Sequence, residues 1–222
     1  MPHNFIKQEI YLAVDNVVFS VYKGELLVLL VERVQKPSKS WALPFVKDGM
    51  TLKQSAYDAL ERKTKVKNVY LEQLYTFSAT DRDPRARVVS TIYMALVNYA
   101  NIKPMSSDEA PSVEFFPVNK LPKLAFDHNQ VLEYALERLK YKLEYTNVVQ
   151  YLLPEQFSLR ELQDIYELIV HAFDVRNFRK KLHSLDMIRE TGEMQSNVNH
   201  RPAKLYEFVD KEIKIFDVLG VG

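Results

Sequence analysis

The chain has 222 residues, 47% of them hydrophobic and 27% charged, enough apolar material for one large domain or two modest ones. It carries no cysteine, which excludes disulfides, thiol catalysis and Cys-ligated zinc and is compatible with a reducing cytosol. A formal net charge of +1 decides nothing about nucleic acid, because local clustering is what counts.

The first residues, M-P-H-N-F-I-K-Q-E-I, lack the apolar run of a signal peptide. No stretch of about 18 apolar residues is available to span a membrane, so a cytoplasmic protein without membrane contact is expected. Ile10 to Val21 is rich in β-branched and aromatic residues and reads as one strand or two. Lys23-Gly24 turns the chain into Leu26 to Val31, a short apolar run suited to a strand buried on both faces. Leu52 to Lys63 has helical spacing, whereas Val69 to Phe77, Val88 to Val97 and Ser112 to Pro117 are strand-like. The charged turn D-R-D-P-R-A-R separates two of these strands. Strands interrupted by one good helix make an α+β pattern.

From Asp127 the texture changes. Val131, Leu132, Ala135, Leu136, Leu139 and Leu143 recur at helical spacing, which predicts a helix over 127–143 with Asp127 as its N-cap. A domain boundary is expected at its end, giving domains 1–144 and 145–222. Ser158-x-x-Glu161 is a capping box opening a helix with Leu159, Leu162, Ile165, Tyr166 and Ile169 on one face.

The next helix, Asp174 to Leu185, gathers Val175, Phe178, Leu182 and Leu185 in one stripe, with Asp174 as its expected cap. Its polar side carries Arg176, Asn177, Arg179, Lys180, Lys181, His183 and Ser184. Met187 to Thr191 reads as a strand, Gly192 to Pro202 as a polar arm with Asn197, Asn199, His200 and Arg201, and Leu205 to Val209 as a returning strand. Helix, helix and two-stranded wing is the order of a winged helix-turn-helix. Between Val175 and Tyr206 seven Lys and Arg face three acids, a local excess of four positive charges. Arg176, Asn177, Arg179, Lys180, Lys181, His200 and Arg201 are the candidate DNA-contacting residues, suited to base edges and phosphates of a duplex operator. A basic polar face also occurs on helices that merely meet solvent, and a helical protein-binding domain is the competing reading.

Four stretches together resemble the Nudix-related transcriptional regulators of the NrtR type. They are W-A-L-P at 41–44; N-V-Y-L-E-Q-L-Y-T-F at 68–77 with D-R-D-P-R-A-R-V-V-S at 81–90; A-F-D-H at 125–128 with K-L-E-Y-T at 142–146; and R-N-F-R-K-K-L at 176–182 with R-P-A-K-L-Y at 201–206. The resemblance implies an α+β chain: an N-terminal Nudix-like α/β/α sandwich around a mixed sheet, then a C-terminal winged helix. It further implies that the first domain senses a sugar or an ADP-ribose-like nucleotide. Because one winged helix rarely gives enough specificity and operators are usually palindromic, a homodimer is expected.

The Nudix motif itself is degenerate. Active hydrolases of this fold have two glycines after W-x-L-P, a Glu in the following loop, and a helix presenting Arg-Glu-x-x-Glu-Glu before a Gly. Here Phe45 follows Pro44 directly, and the loop Glu becomes Met50. The Arg becomes Asp58, the three helix acids become Ala59, Arg62 and Lys63, and the Gly becomes Lys65. Cations where ligands would stand repel a divalent ion, so no metal, no catalytic residue, no cofactor and no hydrolysis are expected. A residual ADP-ribose hydrolase using Asp58 and Glu61 is the alternative reading.

The effector residues implied by the resemblance are Asp81, Arg82, Asp83, Arg85 and Arg87, with carboxylates to accept from hydroxyls and guanidiniums to donate to phosphate. Taken alone the same turn reads equally well as a solvated one started by Asp-Pro. Missing glycines and acids remove groups that would meet a pyrophosphate, which favours a sugar or sugar derivative.

Overall fold

The apolar run that opens the chain forms one strand, β1 (Tyr11–Tyr22), in the computed structural model, which describes residues 9–34, 40–43, 50–65, 69–104, 106, 111–170, 175–196 and 201–216. Lys23 and Gly24 both take positive φ, 49° and 75°, and return the chain into β2 (Glu25–Glu32) with Tyr22 opposite Glu25. A two-residue loop with both φ positive twists with its strands, and Gly24 takes that conformation without a Cβ penalty. After β3 (Trp41–Ala42), helix α1 spans Leu52–Thr64. Strands β4 (Tyr70–Phe77), β5 (Val88–Leu96) and β6 (Val113–Pro117) follow.

These strands make one six-stranded mixed sheet in the order β3-β2-β1-β5-β4, with β6 also paired to β2. The β1–β5 pair is parallel and central, and the remaining pairs are antiparallel. Side chains of β1 alternate between two covered faces. Val14, Asn16 and Val18 belong to the α1 face, where Asn16 Nδ2 donates to the Ala56 carbonyl at 3.1 Å. Val17 and Phe19 point the other way, into the core cluster that also holds Val131, Leu132, Ala135, Leu139 and Leu143. Those five lie on α2 (His128–Tyr145), so the sheet is sandwiched between α1 and α2. Tyr134 packs on Tyr75 at 5.3 Å, and Lys142 bridges Glu72 at 2.8 Å, seating α2 across β4.

Asp127 occupies the N-cap position but makes no capping hydrogen bond, contrary to the sequence expectation. The physical reason is a stronger competitor. Its carboxylate accepts two hydrogen bonds of 2.8 Å from Arg82, and a charge-assisted bidentate pair outweighs a bond to a backbone N–H.

Beyond α2, β7 (Phe157–Ser158) leads into α3 (Leu159–Ile169), then α4 (Val175–Ser184), β8 (Ile188–Met194) and β9 (Lys204–Phe208). The Ser158–Glu161 capping box forms as the spacing predicts, a feature worth about 1 kcal/mol. The sheet has three strands rather than two, in the order β7-β9-β8. Strand β7 is only two residues long, too short to leave an alternating pattern in the sequence. Strand β8 also continues to Met194, into what reads as the polar arm, through Gly192 at φ 84° beside a register shift. Such a bulge bends the ribbon and lets pairing resume. Residues 197–200, with Asn197, Asn199 and His200, and Asp174, the expected cap of α4, lie outside the described residues.

Candidate functional site

A cavity of about 450 Å³ opens at the end of the sheet where α2 begins, a size usual for small-molecule sites. Strand β1 supplies Asp15 from its α2 side, and Arg33 comes from the end of β2. The 81–87 turn contributes Arg82, Asp83, Arg85 and Ala86, and Phe126 and His128 flank the start of α2. Asp15 is 5% exposed and accepts from Ser90 Oγ at 2.5 Å. A carboxylate in the middle of an apolar strand needs such a partner.

Three arginines and two aspartates line this space. Arg85 folds onto Asp83, with Nε at 2.9 Å from one carboxylate oxygen and Nη2 at 2.7 Å from the other. That hydrogen bond holds the Asp83 carboxyl below its usual range and raises the Arg85 guanidinium. Arg82 is bound to Asp127 in the pair already described, their side chains 5% and 11% exposed. Phe126 takes a left-handed φ of 53°, rare for a side chain of its bulk, and its ring lies 4.8 Å from the Arg33 guanidinium and 4.9 Å from that of Arg85. Burial first, then the proximity of Arg85, lowers the Arg33 pKa. Two guanidiniums crowded on one ring at the wall of a cavity form a place where an anion is stabilised. His128, buried and accepting through Nδ1, is pushed below its usual range mainly by burial, so a neutral imidazole faces the cavity.

Of the five effector residues expected from sequence, Arg82, Asp83 and Arg85 line the cavity together. Asp81 is exposed and not among the lining residues. Arg87 also stands apart: its Nη1 donates to the carbonyls of Ser78 and Ala79 at 2.8 and 3.0 Å, closing the turn. Sequence reasoning missed Asp15, Arg33, Phe126 and His128. A lone acid within an apolar strand was a usable signal for Asp15, and the A-F-D-H stretch for Phe126 and His128. Arg33 left none.

Helix α1 does not fit a divalent metal. Asp58 is paired with Arg62 at 2.8 Å, and Ala59 is 1% exposed where a ligating acid would project. Among the described residues no three metal-ligating side chains gather. Lys65 caps α1 at φ 58°, the left-handed conformation for which glycine is favoured, so the turn persists although the residue has changed.

The second candidate surface is α4. Phe178 and Leu182 are 1% exposed, with the Phe178 ring 4.5 Å from Tyr166 of α3, while Val175 and Leu185 are half-buried. The predicted apolar stripe therefore holds the helix down. Arg176, Asn177 and Lys180 are exposed on its other side, Lys181 is half-buried and Arg201 is exposed near the wing. The side chains of Arg179 and His183, and all of His200, lie outside the described residues. Arg189 and Lys204 pair across the ribbon with Glu207 and Glu190, at 2.6 and 2.9 Å. Glu190 is already among the three acids between Val175 and Tyr206, whereas Glu207 lies just beyond them, so counting it lowers the local excess from four to three.

Residues 149–208 match the family model of the NrtR DNA-binding winged helix domain. An ADPR responsive transcriptional repressor NtrR from Acinetobacter baylyi is 37% identical over 205 residues, covering 89% of this chain and 81% of that protein. The crystal structure of Shewanella oneidensis NrtR complexed with a 27mer DNA superposes with a TM-score of 0.78 at 33% identity, over 89% of this chain and 93% of that one. The NUDIX domain of the same Shewanella protein, complexed with ADP ribose, matches with a TM-score of 0.53 at 35% identity, over 63% of this chain and 93% of that one.

Proposed function

From the premise that this chain belongs to the NrtR family of DNA-binding transcriptional regulators, we propose that it binds operator DNA under the control of an ADP-ribose-type nucleotide held in the cavity beside α2. The carrying observation is the pair of guanidiniums, Arg33 and Arg85, on the Phe126 ring. Phosphate oxygens entering there neutralise a charge that burial disfavours. Asp83 and Asp15 supply acceptors for ribose hydroxyls, and Arg82 and Arg85 supply donors. The relatives that respond to or hold ADP-ribose support the same ligand class.

In this reading, residues 1–144 form a sensing unit without catalysis and residues 145–222 a reading head. Arg176, Asn177, Arg179, Lys180 and Lys181 of α4 meet the major groove, and His200 and Arg201 meet phosphates or the minor groove. Two copies bind a palindromic site as a homodimer, because one winged helix contacts few base pairs. Among the described residues no helix is long and apolar enough to cross a membrane, and the protein acts in the cytoplasm, where an operator is accessible.

A second reading retains a pentose as effector. It draws on the pairing of Arg82 with Asp127 and of Arg85 with Asp83, which leaves the cavity nearly neutral and lined with carboxylates fit for hydroxyls. Calorimetry of the full chain with ADP-ribose, and separately with arabinose, decides between them. ADP-ribose binding that shifts operator affinity supports the first; binding of the pentose alone replaces it with the second.

A further inference from the structure

Two residues that cap helices in this chain, Thr51 and Ser158, share a ψ of 154°. Asp127 holds the same position before α2 but has a ψ of 16°, and no first-turn N–H reaches its carboxylate. Arg82, 45 residues earlier, occupies both oxygens from within the cavity wall. One carboxylate thus has two competing sets of donors: a guanidinium beside the cavity and the free N–H groups of a helix.

Building on the effector reading above, we propose that this competition is the switch by which an anionic ligand in the cavity reaches the reading head. A phosphate there offers Arg82 an alternative acceptor. As Arg82 turns to it, Asp127 loses its cation, and the N–H groups of Asn129 and Gln130 take the carboxylate as an N-cap. Capping requires ψ of Asp127 to rotate from 16° toward the 154° of the other two caps. That rotation occurs next to Phe126, already in the left-handed region with two arginines on its ring, and it re-aims the start of α2.

The far end of α2 is built to receive the movement. The helix has 18 residues, about 27 Å at 1.5 Å each. Its last carbonyl, Tyr145, accepts the Phe216 N–H at 2.8 Å. Asn147, just beyond, donates to the carbonyls of Asp210 and Glu212 and accepts the Lys214 N–H at 2.8 Å. This strap continues from β9, the central strand of the winged sheet. A ligand acts only through its differential affinity for two arrangements, and here the two differ in which donors Asp127 serves.

Asp127→Asn separates the partners, because an asparagine caps a helix as well as an aspartate but lacks the charge that retains Arg82. Operator affinity is measured by fluorescence anisotropy, and ADP-ribose binding by calorimetry, on the full chain. Without ligand, the Asp127→Asn protein is expected to match the operator affinity of ADP-ribose-saturated wild type and to respond no further. The wild type is expected to respond by the roughly 5–150-fold usual for coupled sites. Asn147→Ala, at the opposite end of α2, is expected to bind ADP-ribose like the wild type and lose most of that response. A wild-type-like response in either variant overturns the switch, and if Asp127→Asn fails to fold, Asn147→Ala decides alone. A wild type that does not bind ADP-ribose removes the effector reading instead. In that event a ligand-free shift in the operator affinity of Asp127→Asn still supports the switch, and its absence ends it.

Discussion

The imidazole of His128 accepts the backbone N–H of Leu43 through Nδ1 at 3.1 Å, tying the first residue of α2 to the segment that follows β3. Both residues are buried, so the bond requires a neutral ring. Protonating Nδ1 would remove the acceptor and place a charge in the core.

This relationship sets a pH dependence. Burial depresses the His128 pKa below its ordinary 6.5, so below that pH the unfolded chain binds a proton that the native state refuses. Stability is therefore full above pH 6.5 and declines as the pH falls toward the folded value. Thermal melts between pH 7.5 and 5 should show this decline (a range set by the ordinary histidine value of about 6.5). They should show less of it in His128→Asn, whose amide oxygen keeps the bond to Leu43 without titrating. Asp83 acts in the same sense over a lower window: its depressed pKa contributes stability above 3.8 that is lost as the pH falls further.

Arg33→Met should weaken ADP-ribose binding by roughly 10- to 150-fold, the range for losing a hydrogen bond to a charged group at about 1.5–3 kcal/mol. Pentose binding, if present, should change far less, since no phosphate meets that guanidinium. Parallel calorimetry with both ligands checks the difference, and equal losses would mean that Arg33 is structural.

On α4 the two faces should separate cleanly. Phe178→Ala empties a site that is 1% exposed and should cost about 3–5 kcal/mol in thermal or denaturant unfolding. Lys180→Ala and Arg176→Ala should leave unfolding nearly unchanged and weaken operator binding by about 1–3 kcal/mol each where they reach base edges. If Lys181 meets only phosphate, its removal should weaken all sequences alike and lower the salt slope by about one. A gel shift unmoved by Arg176→Ala and Lys180→Ala together would reassign the reading helix.

ADP-ribose should remain intact when incubated with the protein and Mg²⁺ or Mn²⁺. The Asp58–Arg62 pair and buried Ala59 occupy the helix face where metal ligands would project. Chromatography of the reaction mixture tests this, and metal-dependent nucleotide release would restore the hydrolase reading.

The legible parts of this chain were those carried by local rules. The apolar stripe of α4, the Ser158–Glu161 capping box and the β-branched, aromatic run of β1 each follow from a few neighbouring residues, and all appear in the structure. The substitution of Ala59, Arg62 and Lys63 for helix acids was likewise readable by position. The cavity was legible only in part. Arg82, Asp83 and Arg85 share one charged turn that marks them, and the same turn points to Arg87, which serves backbone carbonyls instead.

What the sequence determined by itself was the order of the helices and the longer strands, the loss of the metal-binding acids and the basic face of α4, because periodicity and charge are local properties. Only the tertiary structure decided that Asp15, Arg33, the 81–87 turn and residues 126–128 share one cavity, and that Asp127 serves Arg82 rather than its own helix. Those partners lie tens of residues apart along the chain. A bidentate ion pair prevails over a local cap only where folding brings the two groups together away from water.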